Sequence, residues 1–175
     1  MKVIDTPLKS CKVIQPDVFH DDRGYFSVVH DLASFKEQVA NIDFIAQNES
    51  KSTYGVIRGL HAQQGDHAQA KLVRCVQGEI LDVVVDHRPD SATYLKHYTR
   101  ILSDHNHEQL FVPRGFLHGF AVLSPTAIVQ YQIDNPYRPE YEYGVRYDDP
   151  TFQIDWQVPQ AVIQLSKKDE NLGYL

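Results

Sequence analysis

Short β-type runs, each closed by a turn signal, constrain this chain more than any other feature. The runs are CKVIQP, GYFSVVH, DFIAQNES, YGVIRGLH, AKLVRCV, EILDVVVD, KHYTRIL, QLFVPR, FLHGFAVLS and AIVQYQI. Asp22-Arg23-Gly24, Gln77-Gly78, Pro89-Asp90-Ser91 and Ser124-Pro125 punctuate them. Strands this short and close together predict an all-β antiparallel sandwich or barrel, since a βαβ array needs a helix between strands. Helical patterning is confined to two places. DLASFKEQVA (31–40) sets Leu32, Phe35 and Val39 on one face, and LSKKDENLG offers Ser166 as an N-cap and Gly173 as a stop. No repeat or linker interrupts the 175 residues, so one domain over 1–175 is expected.

Composition excludes several partners. Hydrophobic residues make up 42% and charged residues 23%, ordinary for a globular protein. The net charge of -6 is spread along the chain with no basic arm, so a nucleic-acid partner is not expected. The aliphatic run around Val83, Val84 and Val85 is too short to cross a bilayer, and MKVIDTPLKSCKV lacks a signal peptide's apolar region. Cys11 and Cys75 form no CxxC pair, which argues against a disulfide or zinc framework and for a cytoplasmic protein.

Chemistry-bearing residues fall in five stretches. In YGVIRGLHAQ, His61 has three readings: a structural histidine, a metal ligand, or a base. Strand alternation puts Lys71 and Val73 of KLVR on one face and Leu72 and Arg74 on the other. Lys71 is then either a solvated edge residue or an inward cation awaiting an anion. PRGFLHGF carries Pro113, Gly115 and His118 in the PxGxxH pattern that forms half of the cupin signature. The other half, HxH followed by glutamate, is incomplete, because Ala62 and Gln63 follow His61. That ligand shortfall argues against a metal centre. Between Val129 and Asp149 stand Tyr131, Tyr137, Tyr141, Tyr143 and Tyr147, each either packed or available as a phenolic proton donor. In QLSKKDENL, Asp169 is either an exposed first-turn carboxylate or the partner that orients a histidine.

FHDDRGYF, NESKSTYGVIRGLH, HAQAKLVRCVQGEILDVVVDHR, LFVPRGFLHGFAVLS, the Tyr131–Tyr137 segment, RYDDPTFQIDW and LSKKD occur in this order. Together they resemble the dTDP-4-dehydrorhamnose 3,5-epimerase family, over most of the chain. The resemblance implies a cupin-like jelly-roll barrel (an antiparallel double-stranded β-helix with a few short helices) that works without metal or other cofactor. It implies inversion at C3 and C5 of a nucleotide-linked 4-keto-6-deoxy-hexose, as in deoxysugar and dTDP-rhamnose biosynthesis. His61 would be the base, Asp169 its orienting carboxylate, Lys71 the stabiliser of the C4 oxyanion and Tyr131 the acid on the opposite face. Arg58 would hold the diphosphate, and Asn48, His118 and Tyr137 match other substrate-contacting positions. Phe19, Arg23 and Phe26 match residues that reach the nucleotide from the partner subunit of a homodimer.

Four positions depart from the family pattern. Ala46 stands two residues before Asn48, where glutamine is usual. Val28 replaces a glutamate that helps read thymine, Gln132 follows Tyr131 where lysine is frequent, and Ala62 follows His61 where an aromatic is common. They leave a single-carbon epimerase acting on a related nucleotide 4-keto sugar as the alternative.

Overall fold

Burial along each strand shows which sheet faces are covered. In Thr126–Ile133, Ala127, Val129 and Ile133 are buried while Gln130 and Gln132 are not, the period-2 pattern of a strand with one covered face. Glu79–Asp86 is buried at every position after the first, as in a strand packed on both faces.

The computed structural model describes residues 1–175. Its strands are β1 (Lys2–Asp5), β2 (Lys12–Gln15), β3 (Val18–Asp21), β4 (Gly24–Ser27), β5 (Ala46–Thr53), β6 (Ile57–Gln63) and β7 (Lys71–Gln77). There follow β8 (Glu79–Asp86), β9 (His97–Ser103), β10 (Gln109–Val112), β11 (Phe116–Val122), β12 (Thr126–Ile133) and β13 (Glu142–Gly144). The two α-helices are α1 (Leu32–Gln38) and α2 (Lys167–Glu170). One sheet runs β1-β2-β10-β7-β12-β5 and the other β13-β6-β11-β8-β9, while β3 and β4 pair only with each other. Every pairing between these strands is antiparallel. The strand spacing predicts an antiparallel sandwich or barrel, and the result is such a barrel in the jelly-roll form that the family resemblance implies.

The central core lies between the sheets. Val73, Cys75, Leu110 and Val129 come from the six-stranded sheet, and Ile80, Val84, Leu102, Phe116 and Phe120 from the five-stranded one. A second cluster on the outer face of the five-stranded sheet joins Leu60, Leu81 and Leu117 to Phe152 and Trp156 of the C-terminal segment. A third packs Phe35 of α1 against Leu72 and Phe111.

Several details differ from the sequence expectations. Strands β1, β3 and β13 fall outside the expected runs. Their residues are largely exposed or only partly buried, so they carry little apolar periodicity and rely on a neighbouring strand for pairing. DFIAQNES shifts forward: the strand begins at Ala46 and reaches Thr53, where β12 fixes its register. Leu32 is exposed rather than sharing the buried face of Phe35. Helix α2 starts at Ser166 as expected, but it ends at Asn171, before Gly173.

Candidate active site

Arg58 and His61 are three residues apart on β6, a spacing that in a regular strand puts side chains on opposite faces. Both nevertheless line the same recess. The reason is a bulge. His61 pairs with His118 and Arg58 with Phe120, so Gly59 and Leu60 together oppose Gly119 alone. Glycine is required on both sides: a Cβ on Gly59, whose φ is +124°, would lie 2.6 Å from Gly119 Cα. A Cβ on Gly119 would lie 2.6 Å from the Arg58 carbonyl oxygen. The extra residue resets the alternation, so Leu60 enters the outer core while Arg58 and His61 both turn inward.

The recess, about 150 Å³, joins Ser50, Arg58, His118 and Phe120 to His61, Lys71 and Tyr131. The last three also line an adjoining cleft of about 360 Å³ walled by Asn48, Ala62, Gln63, Gln69, Tyr137 and Glu142. His61, on the five-stranded sheet, and Tyr131, on the six-stranded sheet, therefore border one continuous space from opposite walls.

Two histidine–aspartate pairs flank this space. His61 Nε2 lies 2.5 Å from Asp169 Oδ1, with the carboxylate 4% exposed. Burial raises the Asp169 pKa, but the hydrogen bond and charge of His61 outweigh it and hold the carboxyl below its usual range. Its position follows from α2: Ser166 Oγ accepts from Asp169 N at 3.1 Å, starting the helix that brings Asp169 back to β6. The second pair is His118 Nε2 and Asp82 Oδ1 at 2.8 Å, both buried. Burial pushes the His118 pKa down against the opposing pull of Asp82.

Lys71 faces inward beside Tyr131, its ammonium 5.9 Å from the ring centroid. Burial pushes its pKa down to about 8, and the nearby charges of Asp82 and Glu142 only partly restore it. Such a cation is stabilised by any negative charge that develops beside it. The Tyr131 pKa is raised by burial, with Asn48 and Arg58 acting in the other direction. Arg58 Nε donates to Ser52 Oγ at 3.1 Å, which leaves the outer guanidinium nitrogens directed elsewhere. Tyr137 donates to Glu142 Oε2 at 2.7 Å, and Lys168 pairs with that same oxygen.

Asn48, Arg58, His61, Lys71, His118, Tyr131 and Tyr137 thus all line the cleft or its recess, with Asp169 directly behind His61. Phe19, Arg23 and Phe26 do not reach it within this chain. They sit on the β3–β4 hairpin, where Phe19 is 61% and Phe26 65% exposed and Arg23 pairs only with Asp21. Sequence reasoning missed Asp82, Ser52, Gln63 and Glu142. A lone carboxylate inside the aliphatic run of EILDVVVD was the available signal for Asp82; the others carried none.

A family model described as dTDP-4-dehydrorhamnose 3,5-epimerase matches residues 5–175. The chain belongs to this family. The dTDP-4-dehydrorhamnose 3,5-epimerase of Escherichia coli K12 is 42% identical over 173 residues, covering 98% of this chain and 93% of that protein. The crystal structure of the Elizabethkingia anophelis dTDP-4-dehydrorhamnose 3,5-epimerase superposes with a TM-score of 0.95 at 48% identity, covering 100% of this chain and 96% of the other. A Legionella pneumophila dTDP-6-deoxy-D-glucose-3,5-epimerase, solved with dTDP-4-keto-L-rhamnose, gives a TM-score of 0.95 at 37% identity, covering 99% and 92%. Set against the family pattern, only one of the four departures lines the cleft. Ala62 does, while Ala46 and Gln132 border a separate groove and Val28 is exposed.

Proposed function

We propose that this chain is an isomerase that inverts C3 and C5 of dTDP-4-dehydro-6-deoxy-D-glucose, giving dTDP-4-dehydro-L-rhamnose. The observation that carries this is the placing of His61, backed by Asp169, and Tyr131 on opposite walls of one cleft that Lys71 also lines. Both C3 and C5 are α to the C4 ketone, so their protons are acidic. His61 takes such a proton, the bonding electrons move onto the C4 oxygen, and Lys71 stabilises the enolate. Tyr131 then delivers a proton to the same carbon from the other face, inverting it. Asp169 holds the His61 tautomer and supports the imidazolium formed. Only protons move, so the reaction as written draws on no cofactor. Arg58 holds the diphosphate through its free guanidinium nitrogens, with Asn48, His118 and Tyr137 as further contacts.

The working unit in this proposal is a homodimer in which Phe19, Arg23 and Phe26 of each hairpin reach the partner's nucleotide. Two exposed phenylalanines on a hairpin that pairs with no other strand support it. Free, buried Cys11 and Cys75 are compatible with the reducing cytoplasm, and the central core shared by both sheets supports a single domain over 1–175. No helix is long and apolar enough to cross a membrane.

Incubation with the 4-keto substrate in deuterated water, followed by NMR, tests the reaction. Deuterium should enter at both C3 and C5, and His61→Ala should slow that exchange by about 10²–10⁴-fold. Label at one carbon alone would identify a single-carbon epimerase, and undiminished exchange by His61→Ala would exclude it as the base.

A further inference from the structure

Gln63 lies two residues beyond His61 on β6 and its side chain is 4% exposed. A buried amide needs partners for both N–H groups and its oxygen, and here each is committed. Nε2 donates to the His67 carbonyl at 2.7 Å and to the Pro136 carbonyl at 3.1 Å. Oε1 accepts from the backbone N–H of Arg138 at 2.5 Å. Pro136 and Arg138 are the two residues flanking Tyr137. One side chain therefore grips the backbone on both sides of the tyrosine that walls the cleft, whose own ring is 55% exposed.

The surrounding contacts point the same way. Gln69 Nε2 donates to the Asn135 carbonyl at 2.6 Å, and Asn135 Nδ2 donates to the Asp66 carbonyl at 2.7 Å. The His67 and Tyr141 rings lie 3.9 Å apart. Segment 64–70 and segment 134–142 are clasped together, and Gln63 is the buried member of the clasp that also belongs to the catalytic strand. Tyr137 is otherwise held only through its hydroxyl, by Glu142.

We propose that Gln63 is a positioning residue: it fixes the Tyr137 loop against β6, and so sets how tightly the cleft holds substrate while leaving proton transfer alone. This rests on the epimerase reading above. Removing the amide frees the Pro136–Arg138 backbone and lets Tyr137 leave the cleft wall, without touching the His61–Asp169 pair. Substrate binding weakens; the rate at saturation does not change.

The test uses the intact protein with the 4-keto nucleotide sugar. Gln63→Met keeps the volume and removes the hydrogen bonds, and should raise KM about tenfold with kcat changed less than about twofold. In a Tyr137→Ala background the same substitution should add almost nothing to KM, whereas in an Arg58→Lys background the two effects should add. A fall in kcat at unchanged KM would overturn the inference, as would full additivity with Tyr137→Ala. Should Gln63→Met fail to fold, hydrogen exchange of the wild type decides: the Arg138 amide should exchange slowly, and exchange as fast as an open loop refutes the clasp. Wild-type protein without turnover would instead defeat the epimerase reading, a separate result.

Discussion

Lys71 shows how a residue's surroundings change its chemistry, and with it the role proposed for it. A lysine in KLVR is ordinary, but beside Tyr131 burial strips its ammonium of hydration and its pKa falls to about 8, even with the charge of Asp82 pulling the other way. The sign of the pH dependence follows. Below that value the cation is present and can stabilise an enolate; above it the neutral amine cannot. We expect kcat/KM, which reports the free enzyme, to fall as pH rises through about 8, and Lys71→Met to lower kcat about 10²–10³-fold. The limb in kcat should lie higher, because a bound anionic substrate favours the charged lysine. A kcat/KM profile flat between pH 7 and 10 would exclude this role. Neither the direction nor the size of the shift was legible in KLVR; alternation said only that Lys71 shares a face with Val73, as it does.

At the scale of elements, the site depends on two local devices. One is the bulge at Gly59 and Leu60, which puts Arg58 and His61 on the same side of β6. The other is the cap of α2, a four-residue helix too short to persist without its ends satisfied. Ser166→Ala removes the acceptor for the Asp169 N–H and should cost about 1 kcal/mol of stability. Because α2 carries Asp169, kcat should fall as well, although Ser166 touches no substrate. Thermal melting together with kcat checks this; an unchanged kcat would mean that Asp169 holds its place through His61 alone. The cap was readable from Ser166 three residues before Asp169. The bulge was not, since paired glycines in RGLH and HGF reveal close approach only once β6 and β11 are known to be neighbours.

At the scale of the whole molecule, the β3–β4 hairpin stands apart from both sheets with its phenylalanines in solvent. If each hairpin serves the partner's cleft, two inactive chains can restore one another. In the proposed mechanism His61→Ala lacks the base but has an intact hairpin, while Arg23→Ala has the base but a damaged hairpin. Mixed and allowed to exchange subunits, they should recover activity from hybrid dimers in which one of the two sites is complete. No recovery, despite subunit exchange shown by mass, would place the hairpin's action within its own chain.

By itself the sequence determined the class of fold, because turn-bounded β runs with little helical periodicity leave few alternatives to an antiparallel barrel. It determined the family too, through GVIRGLH, KLVRCVQGEILDV, PRGFLHGF and LSKKD in order. Tertiary structure alone decided which residues share the cleft. His61 and Asp169 are 108 positions apart and meet at 2.5 Å, while Gln63, Asp82 and Ser52 gain their roles from partners on other elements. Strand periodicity records which face a residue takes, but pairing register, bulges and loop clasps arise between segments distant in sequence. Those choices, made between strands, are what turn Arg58 and His61, odd-spaced on one strand, into neighbours in one site.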